Sequence, residues 1–155
     1  GLGDVYKRQG EDHRSLQDWV DQMYRTFDRA FVHAFVDNNE IHITAPSEYY
    51  VWGAGAKANP YFYQIELVRQ YTFEDFAKSV NNQAWLAAYM LKQNGIKPTL
   101  ADDNEGIGSI ISHNAISQYW GGTDHVDPIE YYARWGYDMH QLFELVKYHY
   151  DNIPG

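Results

Sequence analysis

Two imidazoles and a carboxylate fall close together late in the chain, in Ser112-His113 followed by Gly121-Gly122-Thr123-Asp124-His125-Val126-Asp127-Pro128. Imidazole nitrogen and carboxylate oxygen are both ordinary zinc ligands. His113 and Asp127 stand fourteen positions apart, so a strand end and a helix start can bring them to one ion. His125, two residues before Asp127, lifts the cluster above background. A plainer reading of Asp127 stays open beside this one, because a carboxylate before proline is also the pattern of a helix N-cap. The second feature is Gln64-Ile65-Glu66-Leu67-Val68, which sets a carboxylate in an apolar run. Partly buried, Glu66 would have a raised pKa suited to a general base; on a solvated strand face it would be structural. The third is Val51-Trp52-Gly53-Ala54-Gly55, where glycines let backbone come close to a ligand and Trp52 offers a stacking face. A turn and a core Trp explain it equally well. His33 sits beside the presumed site within a strand. His13, His42, His140 and His149 are given no chemistry.

Local signals supply the elements that must hold these groups. Leu16, Trp19, Val20, Met23 and Phe27 recur at helical spacing, and Ser15 with Asp18 has the spacing of a capping box. Ala30 to Val36 and Ile41 to Thr44 read as strands of a hairpin joined by Asp37-Asn38-Asn39-Glu40. Tyr61 to Val68 reads as a third strand carrying Glu66. A long helix capped by Thr72 follows, ending near Gly95 and Pro98. Ile107 to Ser112 reads as a strand that delivers His113 at its end. Shorter helices are expected from Asn114 and Pro128, with a last one from Met139 to about Tyr150. The pattern predicts an α/β single domain with a small central mixed sheet flanked by helices. Residues 1–9 show no periodicity and read as an extraneous remnant, leaving the domain to 10–155.

Composition narrows the function classes. The formal net charge is −9 over 155 residues, which removes the basic stripe that a nucleic-acid partner requires. Hydrophobic residues at 45% with 21% charged exclude intrinsic disorder. The absence of cysteine excludes a disulfide framework, a thiolate nucleophile and Cys-ligated zinc. No apolar run approaches membrane-spanning length, and no secretory signal is legible. Fourteen Tyr, seven Phe and five Trp suit a protein that stacks on sugars or peptides.

In this order, the residues resemble the zinc-dependent N-acetylmuramoyl-L-alanine amidases of the amidase-2 type, relatives of the peptidoglycan recognition proteins. Phage endolysins and bacterial autolysins are the nearest look. The resemblance runs from about Glu11 to Tyr150 and rests on Phe31 to Asp37, Trp52 to Gly55, Ile65-Glu66-Leu67, and His113 with Gly121 to Pro128. It implies a mixed sheet with helices on both sides, a zinc in a surface groove, and hydrolysis of the amide between N-acetylmuramic acid and L-alanine. It further implies His113 and Asp127 as zinc ligands, Glu66 as the acid that orients or deprotonates water, and His125 as the oxyanion donor. Trp52 and His33 are expected to touch substrate. Peptidoglycan would be the partner, the cell wall the place of action, and the monomer the working form. The family's first zinc ligand is a histidine on a strand upstream of the first helix, and no histidine at that place matches here. The chain is therefore expected to lack its first strand and to be a poor or inactive amidase as it stands. A muropeptide-binding module of the same fold and a metal-free carbohydrate binder are the competing expectations.

Overall fold

The computed structural model describes residues 14–26 and 31–155, together with the backbone of 2–4. Ser15 opens the first helix, α1 (Leu16–Arg25): its side chain accepts from the Asp18 amide, and the Asp18 carboxylate accepts from the Ser15 amide. Leu16 and Val20 turn inward and Trp19 and Met23 pack beside them, as their spacing dictates. Phe27, placed on this face by the sequence, lies outside the described residues.

The hairpin forms as expected, its strands shorter only at the ends away from the turn. Strands β2 (Ala34–Val36) and β3 (Ile41–Ile43) pair antiparallel, and Asp37 Oδ1 accepts from the Asn39 and Glu40 amides to close the turn. Strand β4 (Tyr63–Leu67) lies parallel to β2, and β5 (Ile110–Ser112) completes the late part of the sheet. The order is β3-β2-β4-β1-β5, where β1 is Leu2–Asp4. That segment falls within the nine residues the sequence reading set aside, yet it runs parallel to both β4 and β5. The expectation of an empty first-strand position is thereby corrected. Three residues carry too little pattern to announce a strand, and neighbours on both sides supply its hydrogen bonds.

Helix α2 (Phe73–Gln93) is capped by Thr72, whose side chain accepts from the Asp75 amide. It packs against α5 (Met139–Asn152) over one face of the sheet. Phe76 is the hub of that layer: its ring stacks on Trp135 at 5.3 Å and meets Tyr131, Tyr132 and Tyr137 edge-on. The buried Tyr132 hydroxyl has a partner in Gln83 Oε1 at 2.6 Å. Across the sheet lie two smaller clusters. One joins α1 to Phe35 and Val68, and the other joins Ala54, Ala58 and Phe62 to Ile111 and Ile116. The functional residues lie on this second face.

Candidate metal centre and active site

His113 begins the short helix α3 (His113–Ala115), directly after β5. Parallel register then places it. Ser112 pairs with Asp4 and Asp4 with Ile65, so His113 stands level with Glu66, two strands away. Two strand spacings put their backbones about 10 Å apart. Ile65 and Leu67 point into the α2–α5 layer, so the alternation of β4 turns Gln64 and Glu66 to the opposite face. Ile111, two residues before His113, faces the same way. The carboxylate and the imidazole thus share one face of the sheet. Glu66 is half-buried there rather than fully solvated.

The late loop closes on His113. Asp127 Oδ2 lies 4.0 Å from His113 Nδ1 and 3.8 Å from His125 Nδ1. The two rings stack at 4.9 Å. Donor atoms of His113, His125 and Asp127 all lie within 4.8 Å of one another. His113 is 2% exposed and Asp127 10%, whereas His125 is 61% exposed, so two donors are fixed and one reaches solvent. Asp127 does not cap a helix. Helix α4 (Ile129–Arg134) starts one residue later than the Asp-Pro pattern suggests, and Pro128 takes the cap position with no side-chain bond. The N-cap reading of Asp127 is corrected: its carboxylate is turned to the imidazoles.

Thr123 belongs to the same run, and the sequence alone assigns it no role. Its Oγ1 lies 2.9 Å from His113 Nε2. When Nε2 carries the proton and donates to Thr123, the Nδ1 lone pair is left facing Asp127 and His125. Gly55 holds Thr123 from behind. Its φ is +90°, and a Cβ there would stand 2.9 Å from Thr123 Cβ and 3.0 Å from the Gly122 carbonyl oxygen. The close approach expected of the Trp52 to Gly55 segment exists, and its object is the loop beside the imidazoles.

Trp52 is partly buried against Phe31, with ring centroids 5.7 Å apart. The loop it opens is fastened by buried Gln64, whose Oε1 accepts from the Gly53 amide at 2.8 Å and whose Nε2 donates to Asn59 Oδ1 at 3.1 Å. His33, expected to touch substrate, lies deep in the wall of a cavity that Tyr49 and Asn59 also line. It is 3% exposed and stacks on Tyr63 at 4.5 Å. Its Nδ1 accepts from the Gln64 amide at 3.0 Å, so Nε2 donates to the Tyr49 carbonyl at 2.7 Å. Both nitrogens are engaged by backbone, and the residue ties β2 to β4 and to the loop before Trp52.

Burial holds the His33 pKa below its ordinary value, and the bond to Tyr49 works the other way. Below the ordinary imidazole pKa of about 6.5 the unfolded chain gains a proton that the folded chain refuses. The stability from His33 is therefore fully present above that pH and declines as pH falls toward the folded-state pKa. Thermal melts from pH 7.5 to 5 should show this loss, and His33→Gln, though less stable throughout, should flatten the slope.

The upstream histidine expected as first ligand is not found among the described residues. Imidazole and carboxylate donors suit zinc, and three of them converge on the face shared with Glu66. Residues 6–130 match the family model described as N-acetylmuramoyl-L-alanine amidase. Protein Ami of Listeria monocytogenes is 44% identical over 131 residues, covering 84% of this chain and 14% of its own length. The bifunctional autolysin of Staphylococcus aureus is 39% identical over 148 residues, covering 96% and 12%. The chain thus spans about an eighth of the length of these curated relatives. A crystal structure of the Staphylococcus aureus hydrolase AmiA in complex with its ligand superposes with a TM-score of 0.91 at 39% identity, over 96% of this chain and 72% of that one. The PlyG catalytic domain shares the fold, with a TM-score of 0.64 at 15% identity over 99% and 85%. The matched span and these identities make the chain a member of the N-acetylmuramoyl-L-alanine amidase family.

Proposed function

We propose that this domain hydrolyses the amide between N-acetylmuramic acid and the L-alanine of the peptidoglycan stem, with zinc held by His113 and Asp127. The observation that carries the reading is the convergence of His113, His125 and Asp127 on the sheet face that also bears Glu66. When bound, zinc supplies a positive charge that polarises a carbonyl and makes water more acidic. Glu66, half-buried on the same face of the sheet, would accept a proton from the attacking water and return it to the leaving amine of alanine. His125 is exposed and close to the cluster, so its imidazole can turn to donate to the developing oxyanion. Thr123 keeps the His113 ring in one orientation, and Trp52 lies on the loop that Gly55 presses against Thr123. Substrate contact by Trp52 and action at the cell wall belong to the same proposal. Among the described residues no helix is long and apolar enough to cross a membrane.

The test is digestion of purified peptidoglycan with added zinc, followed by analysis of the products. New α-amino groups on alanine with intact glycan chains are the expected result. New reducing ends would assign a glycosidase, and retention on peptidoglycan without release would assign a muropeptide-binding module.

A further inference from the structure

Asp102 is a half-buried carboxylate that the reaction above does not use. It sits in a single 3₁₀ turn, Ala101–Asp103, on a segment that runs along the outer edge of β5. That segment is tightly placed. The Thr99 carbonyl accepts from the Ser109 and Ile110 amides at 3.1 and 2.9 Å, and Leu100 bridges Ile110 in parallel. Gly108 passes so close that a Cβ there would lie 2.6 Å from the Ala101 nitrogen. From this fixed turn the carboxylate reaches Ser112. Its Oδ1 accepts from the Ser112 amide at 2.9 Å, and its Oδ2 accepts from the Ser112 hydroxyl at 2.5 Å.

With its proton directed to Asp102, the Ser112 hydroxyl offers its lone pair to the Ala115 amide at 3.0 Å and caps α3. His113 is the first residue of that helix. Asp102 therefore governs the backbone that carries the imidazole, while Thr123 governs the ring. Ser112 presents two donors on one side, and only a carboxylate answers both with acceptor oxygens; asparagine has one acceptor. Burial pushes the Asp102 pKa up, and the two Ser112 bonds pull it part of the way back.

We propose that Asp102 is a positioning residue for the metal centre, its grip on Ser112 setting where His113 Nδ1 stands relative to Asp127 and hence the affinity for zinc. The claim rests on His113 as a ligand. The test compares Asp102→Ala and Asp102→Asn with Val146→Ala, a cavity variant in the α2–α5 layer that lowers the melting temperature without touching this face. Zinc dissociation constants are measured by chelator competition, and the visible spectrum of the cobalt-substituted protein reports ligand geometry.

Asp102→Ala should weaken zinc by roughly 10- to 100-fold and alter the cobalt spectrum, with Asp102→Asn between it and the parent. Val146→Ala should change neither. Unchanged affinity in folded Asp102→Ala, or equal weakening in Val146→Ala, would overturn the proposal. Should the parent bind no zinc, the ligand reading fails by itself, and Asp102 is judged from the His113 imidazole ¹⁵N resonances of the metal-free protein. A shift in the two Asp102 variants alone then supports the positioning role, and no shift refutes it.

Discussion

Asp127→Ala is expected to strip zinc from the site and reduce amide hydrolysis to background. Asp127 Oδ2 lies near both imidazoles, 4.0 Å from one and 3.8 Å from the other, and it brings the negative charge of the cluster. Without it His113 is the one ligand left of the proposed pair, with only the largely exposed His125 near it, and that is fewer donors than an open zinc site ordinarily uses. Loss of a supporting residue costs about 10- to 100-fold in metal affinity, and loss of a donor should exceed that range. The fold should persist, because the main chain of Asp127 still holds α3: its carbonyl accepts from the Asn114 amide at 3.0 Å. Metal content by mass spectrometry and a far-ultraviolet dichroism spectrum measure the two halves of the claim. A variant that retains full zinc would remove Asp127 from the ligand set.

Glu66→Gln separates proton transfer from metal binding. The amide keeps the size and half-buried place of the side chain on β4 but cannot take a proton from water. Zinc content and melting temperature should therefore stay near those of the parent, while the rate falls on the order of 10²-fold or more. The fall should appear in kcat, since Glu66 is asked to act in the chemical step and not in holding substrate. Near-normal turnover would make Glu66 a structural carboxylate on the sheet.

What the sequence reveals here is what local chemistry encodes. The Ser15 box, the Thr72 cap, the Asp37 turn and the delivery of His113 by a strand each depend on residues a few positions apart, and each is found where expected. The mixed sheet follows from the order of these elements, and the family from the resemblance carried by the runs around Glu66 and from His113 to Pro128. Asp127 shows the limit. Its local pattern is that of a cap, but two imidazoles brought near by the fold draw the carboxylate instead. Gly55 announces a special backbone without saying that Thr123 is what it must approach. Asp102 and Ser112 are ten residues apart, a separation with no helical or strand period, so only the fold reveals their bond. The Leu2–Asp4 strand is defined by the partners on either side and not by its own three residues. His33 reads from the sequence as a residue beside the site, and only the fold shows that backbone groups hold both its nitrogens.

The division of the sheet into two unequal faces has a consequence for how such a domain diversifies. The aromatic hub around Phe76 and the α2–α5 pair form one side, while the loops carrying Trp52, Thr123, His125 and Asp127 are assembled on the other. Loop exchange on the second side leaves the larger apolar layer intact, so new binding preferences can be sampled with little loss of stability in the frame. The 15% identity at which PlyG still superposes is the degree of drift such a frame can absorb. A library randomised at the exposed positions 46–50, 56–57, 118–119 and 124 would exploit that separation directly.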